Sequence, residues 1–213
     1  MLLGARMAMM AGGGLPYDAE VEYLESTGTQ WIDTGVTYSA SSSYVIETRA
    51  RFRSQPSVNT YVGWDAGGAF GWMAQNGLNK WNNGAAGTSA LLAAPYDVNA
   101  DMTLDIRAGT NTLSYFTISG YGTISRAHAS LAAYAMSNGY PLFARASQGV
   151  VEGRAIIYDY AKIYKDGVLV HDLIPVRVGS GASAVGYMYD RVSAQLFGNN
   201  GTGAFTIGPD KTT

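Results

Sequence analysis

Apolar and polar positions along this chain alternate with a period of two. Residues 44–52, YVIETRARF, place Tyr44, Ile46, Ala50 and Phe52 on one face and Val45, Glu47, Arg49 and Arg51 on the other, which predicts a half-buried strand. Residues 102–107, MTLDIR, repeat the pattern, with Met102, Leu104 and Ile106 inward and Thr103, Asp105 and Arg107 outward. AGTN at 108–111 then reads as a turn into a second strand, TLSYFTIS, so the two form a hairpin. A longer strand is predicted at 154–165, RAIIYDYAKIYK, followed by Asp166-Gly167 and VLVHDLI. Asp-Gly between two apolar runs marks a hairpin, because both central residues of a type I′ turn need positive φ. Short strands also fit 20–25, 58–64, 69–74, 141–146, 186–190 and 203–207. The helical candidate is 129–137, ASLAAYAMS, which fits equally a loop with one turn of helix.

Many short strands, turn signals about every 8–12 residues and little helix predict an all-β fold, a two-sheet antiparallel sandwich. There is no internal repeat and no linker after residue 16. The expected division is an N-terminal arm over 1–16 and one domain over 17–213. Residues 7–11 of MLLGARMAMMAGGGLP are apolar, but Arg6 and three glycines bound the run. That is short for a secretory signal, so the segment is read as an arm for docking or assembly. No stretch reaches the ~18 apolar residues of a membrane span, so no membrane insertion is expected.

Composition narrows the class. Charged residues make up 14% of the 213, against roughly 25% in an average domain, while glycine numbers 27 and tyrosine 15. Such a chain keeps its surface wet with hydroxyls and amides, a style suited to secreted, cell-surface or virion proteins. The net charge is −2 and no basic stripe is present, which argues against nucleic acid as a partner. Cysteine is absent, which excludes disulfides and thiolate metal sites.

The segment Tyr23-Leu-Glu-Ser-Thr-Gly-Thr-Gln-Trp-Ile-Asp-Thr-Gly35 resembles the opening of a family of concanavalin A-like (laminin G-like) jelly-roll domains found in gut bacteria, prophages and phages. The later segments are similar too: AKIYKDGVLV at 161–170, DLIPV at 172–176, VGYMYD at 185–190 and FGNNGTGAF at 197–205. The resemblance spans about residues 17–209. It implies a jelly roll whose first and last strands lie near each other, and roles in adhesion, glycan binding or virion structure.

Candidate chemistry is sparse. Glucanases within the jelly-roll class carry Glu-x-Asp-x-Glu or Glu-x-Asp-x-x-Glu on one strand; Glu20-Val-Glu22-Tyr-Leu-Glu25 departs at the middle position, and Glu25 would point away from the other two. These carboxylates read as the solvated face of an edge strand. His128 and His171 have no metal-ligand spacing, and His171 reads as an exposed strand residue. No G-x-S-x-G nucleophile turn is present. Asp97, Asn99 and Asp101 form D-x-N-x-D without the glycine and distal glutamate of a calcium loop, and read as a polar turn. Calcium is the one cofactor the resemblance leaves open. The tail Asn199-Asn-Gly-Thr-Gly203 reads as a structural turn tying the last strand into the sheet.

The stretch 61–84, YVGWDAGGAFGWMAQNGLNKWNNG, holds three of the four tryptophans. Aromatic rings beside amides and carboxylates suit sugars, whose apolar faces stack while their hydroxyls hydrogen-bond. Alternation assigns Trp72 to the core. Trp81, after Lys80 and before Asn-Asn-Gly, is expected at a strand end or loop, and with Asn79, Asn82, Asn83, Trp64 and Asp65 forms the expected ligand site. The expectation is a non-enzymatic virion protein of a phage or prophage, located in a tail, fibre or decoration. It would be a homo-oligomer whose partners are a host-surface glycan or other virion proteins. The alternative is a secreted or surface bacterial carbohydrate-binding module, and a glycoside hydrolase is the remote third.

Overall fold

The computed structural model describes residues 14–39, 41–53, 60–64, 70–75, 77–83, 89–109, 112–127, 139–144 and 154–212. In chain order its strands are β1 (Ala19–Glu20), β2 (Tyr23–Glu25), β3 (Ile32–Thr37), β4 (Tyr44–Phe52), β5 (Thr60–Trp64), β6 (Phe70–Gln75), β7 (Leu78–Asn83), β8 (Ser89–Pro95), β9 (Ala100–Ile106), β10 (Leu113–Ile118), β11 (Gly122–Ala127), β12 (Gly139–Leu142), β13 (Ala155–Lys165), β14 (Val168–Val178), β15 (Val185–Asp190), β16 (Gln195–Phe197) and β17 (Thr206–Ile207).

Alternation builds the larger sheet. β4 buries Tyr44, Ile46, Ala50 and Phe52 and leaves Val45, Glu47, Arg49 and Arg51 half-buried on the other face. On one side it pairs antiparallel with β9, from Tyr44↔Ile106 to Ala50↔Ala100, and on the other with β13. The full order is β11-β10-β9-β4-β13-β14-β15-β16. β13 and β14 meet at Asp166 (φ 50°) and Gly167 (φ 79°), the two positive values a type I′ turn demands. β13 bulges between Tyr158 and Ala161, where Asp159 takes φ 53°. Before the bulge β13 pairs with β2, and after it with β14. β17 closes on β2 through Thr206↔Glu25 and Ile207↔Leu24, and Val21 bridges Asp210, so first and last strands are neighbours as expected.

The second layer comprises β5-β6-β7-β8 and the pair β3-β12. The two pieces join where Gly63 N–H donates to Ala144 C=O at 3.0 Å. Phe52 from one layer stacks on Trp72 from the other, ring centroids 3.9 Å apart. One apolar cavity lies between the layers, lined by Ala50, Trp72, Met102, Phe116, Leu142 and Ile157 among others, and holds about 20 Å³. That is room for one water and not for a sugar. A smaller apolar cluster of Ile174, Val176, Tyr189 and Leu196 forms on the opposite face of β14–β16. Tyr17 covers it, its ring 5.0 Å from that of Tyr189. The molecule is an all-β antiparallel sandwich of jelly-roll type.

The expected strands at 44–52, 102–107, 112–118 and 154–174 are all present. β3, β7, β8, β11 and β16 were not expected. β11 shows why: as the last strand of its sheet it is exposed at nearly every position, so no apolar period marks it. The helical candidate 129–137, His128 and the arm through residue 13 lie outside the described residues.

Candidate functional site

Trp81 is not in a loop. It lies in β7 directly opposite Trp72 of β6 and is fully buried. The β6–β7 hairpin turns at Gly77, with φ 78°, so β7 runs from Leu78 through Asn83 and holds Trp81 within the strand. Asn79 is buried as well: its side-chain carbonyl accepts from the Trp72 indole N–H, and its amide donates to Pro95 C=O at 2.7 Å. Both residues are thus structural, which corrects their expected exposure. Phe70 stands in register with Trp64 at the end of β5 and with Asn83 at the end of β7, while Asn82 pairs with Gly71. The backbone therefore does gather Trp64 and Asn83 at one end of this sheet; Asp65 lies outside the described residues.

The carboxylates of the opening segment have different partners. Glu20, in β1, accepts from the Tyr17 hydroxyl at 3.3 Å, and Glu25, in β2, pairs with Arg53 at 3.3 Å. His171 is not an exposed strand residue either. Its Nδ1 lies 2.9 Å from Asp190, whose carboxylate also accepts from the Ser193 hydroxyl (2.6 Å) and the backbone N–H groups of Asp172, Val192 and Ser193. Burial pushes this carboxyl up, but these donors outweigh it and hold it well below the usual carboxylate range. Ser193 donates to Asp190 and not to His171, so the three do not make an activated nucleophile. Asp97 and Asn99 are exposed before β9, where Asp101 accepts from Tyr160. Among the described residues no three His, Cys, Asp or Glu side chains converge as a metal site.

The recognisable loops at 26–33 and 199–203 are one clamp. Asn199 accepts from Trp31 N–H at 3.1 Å, Asn200 N–H donates to Trp31 C=O at 2.7 Å, and Thr29 and Gln30 side chains both donate to Thr202 C=O. A Cβ at Gly201 would lie 1.9 Å from Thr29 C=O, so only glycine fits.

Among the described residues, the outer face of the larger sheet gathers aromatic and polar side chains. The register places Tyr158, Lys162 and Tyr164 of β13 beside Arg49, Glu47 and Val45 of β4, with Asp101, Thr103 and Asp105 of β9 beyond, then Tyr115 and Thr117 of β10. Tyr158 and Tyr160 stand two residues apart on either side of Asp159, where the register of β13 shifts, and share the outer face by the period of two. The Tyr158 ring packs against Tyr23 at 5.3 Å, and its hydroxyl accepts from Arg51 Nε at 3.1 Å. The Tyr160 hydroxyl donates to Asp101 at 2.9 Å; burial first, and then that carboxylate, push its pKa up. Arg107 lies over Tyr115, 4.6 Å from the centroid, held by Asp105 at 2.9 Å. Asp159 sits between Arg49 (3.4 Å) and Lys211 (3.1 Å).

These tyrosines are half-buried, and Tyr158, Tyr160 and Tyr115 are held by the neighbours just named. Such a face offers flat apolar contact together with hydroxyl, carboxylate and guanidinium partners at little entropic cost. The sequence did carry a signal for it: on the solvent side of β13, IYDYAKIYK, tyrosines hold positions where a plain surface strand uses Thr, Ser or Lys.

No protein-family model and no curated protein sequence matches this chain. Among solved structures it is similar to a candidate carbohydrate-binding protein from Bacteroides ovatus, with a TM-score of 0.55 and 9% sequence identity over 91% of this chain and 61% of that one. The chain thus spans about six tenths of that neighbour's length. At this identity the likeness is one of fold, and it agrees with the jelly-roll sandwich described above.

Proposed function

We propose that this domain is a carbohydrate-binding module that acts by adhesion and not by catalysis, and that the tyrosine-lined outer face of the larger sheet is its binding surface. The observation that carries the reading is the row Tyr23–Tyr158–Tyr160, half-buried and interleaved with Arg51, Asp101 and Arg49. Two supports stand behind it. The structural neighbour is named for carbohydrate binding. Glu20 and Glu25 are each engaged by another side chain, Tyr17 and Arg53, which argues against their working as the carboxylate pair of a retaining glycosidase. Membership of the concanavalin A-like family and display outside a cell complete the reading. Of the two expected settings, the bacterial carbohydrate-binding one has the neighbour's support. The virion setting and the homo-oligomer rest on the sequence resemblance and the Met- and Gly-rich arm.

A glycan array with the wild-type chain and the variants Tyr158→Ala and Tyr160→Ala tests this. Binding to a defined set of glycans is expected, lost or strongly weakened in both variants while each keeps a cooperative melting transition. A wild-type chain that binds nothing on the array, or variants that bind like wild type, would overturn the reading.

A further inference from the structure

The arginines along β4 differ in how their charge is met. Arg49 pairs with Asp159 and Arg53 with Glu25. Arg51, between them on the same face, has a neutral partner: its Nε donates to the Tyr158 hydroxyl at 3.1 Å, and its guanidinium carbon stands 5.9 Å from the centre of that ring. That one bond fixes the plane of the guanidinium and leaves both terminal nitrogens with no partner among the described residues. Arg154, exposed, brings another positive side chain to this end of the sheet, where its carbonyl accepts from Arg53 N–H. Beside the Arg51 fork lie the packed rings of Tyr158 and Tyr23, 5.3 Å apart.

We infer that this corner binds the carboxylate of an acidic sugar, a uronic acid residue of a polysaccharide. The inference rests on the carbohydrate-binding reading above and names the ligand class of that same face. A planar carboxylate matches the two terminal N–H groups that Tyr158 leaves free, a bidentate contact stronger than a neutral hydrogen bond. The sugar ring attached to that carboxylate then falls on the Tyr158–Tyr23 pair. The Tyr158 hydroxyl accepts from Arg51 and so keeps its own proton to donate to a ring hydroxyl. A neutral hexose fills the aromatic part of the corner but leaves the fork unmet.

The test is calorimetric titration of the full chain with α-1,4-linked tetragalacturonate and with its methyl ester, alongside a panel of neutral oligosaccharides. The acid is expected to bind at least about tenfold tighter than the ester, the scale of a hydrogen bond to a charged group. The preference should shrink as salt is raised. Arg51→Lys, which keeps the charge but not the fork, should lose most of the preference, and Arg51→Ala all of it, with melting temperatures near wild type. Should Arg51→Ala fail to fold, Arg51→Lys still decides. Equal binding of acid and ester, or Arg51→Lys retaining the full preference, overturns the acidic-sugar inference. If neutral oligosaccharides still bind in that case, the carbohydrate-binding reading survives. Binding of no sugar in the panel overturns both.

Discussion

Trp72 and Trp81 stand opposite each other on β6 and β7, both buried, with the Trp72 indole N–H held by Asn79 and the Trp81 indole N–H left without a partner among the described residues. Both rings belong to the core, yet one is satisfied and the other carries a buried unpaired donor, which costs free energy. Trp81→Ala is therefore expected to destabilise the fold by about 3–5 kcal/mol through the cavity it leaves. Trp81→Phe should cost much less, because it removes the unpaired donor along with part of the volume. Asn79→Ala strands the Trp72 N–H and should cost about 1–3 kcal/mol. Chemical denaturation measures all three. A Trp81→Ala protein of undiminished stability would return this residue to the surface.

Asp190 predicts a pH dependence. Its folded pKa lies below the unfolded one, because donors from His171, Ser193 and the backbone outweigh the effect of burial. The stability it contributes is thus complete above the unfolded value of about 3.9 and is lost as pH falls toward the folded value. Asp190→Asn should lower stability by about 2 kcal/mol near neutral pH, the scale of hydrogen bonds to a charged group. The gap between wild type and variant should close in acid. Melting curves from pH 7 to pH 2 check this, and a gap constant across that range would contradict it.

Glycines at two turns fail for different reasons when substituted. Gly201→Ala places a methyl group against Thr29 C=O, and should cost about 1–3 kcal/mol as the clamp is forced apart. Gly167→Ala meets no atom within 4 Å, but its φ of 79° disfavours an L side chain, at about 1 kcal/mol. Neither glycine belongs to the proposed binding face. Glycan affinity per folded molecule should therefore be unchanged in both. Denaturation midpoints and a binding titration on the same samples separate the two effects.

These residues also show what was legible in the chain. Period-two alternation marks β4, β9 and β10, because each buries one face and wets the other, whereas β14 buries Leu173 to Val176 in succession and shows as an apolar run. Asp166-Gly167 named its own turn, because positive φ at two successive positions restricts composition. The resembling segments at 23–35 and 197–205 were recognisable because they are packing partners, Gly201 against Thr29, and so report on fold instead of ligand. The site was harder. Asn79, Asn82 and Asn83 around Trp81 look like loop chemistry, but Asn79 is polar because a buried indole needs an acceptor. Conversely, alternation along β4 and β13 marks the side they bury and says nothing of what the tyrosines and arginines on the other side meet. Which of two strand faces binds a partner depends on what the next strand places beside it, and Arg51 meets Tyr158 only across a strand pairing more than a hundred residues apart.

The charge balance around Arg51 yields a last prediction. Asp159 follows Tyr158 directly and holds both Arg49 and Lys211, at 3.4 and 3.1 Å. Asp159→Asn removes one negative charge from this corner. Asparagine tolerates the positive φ of 53° there as aspartate does, so the bulge should persist. Both ion pairs are substantially exposed, so the loss of stability should stay within about 1 kcal/mol. Two unit charges about 8 Å apart in water interact by ~0.5 kcal/mol, so affinity for tetragalacturonate should rise roughly twofold or more at low ionic strength. The gain should fade above physiological salt, where the screening length drops below about 8 Å, and the methyl ester should show no gain at all. Weaker binding of the acid by this variant would mean that Asp159 itself contacts the ligand, and that the recognised group at this corner is not an anion.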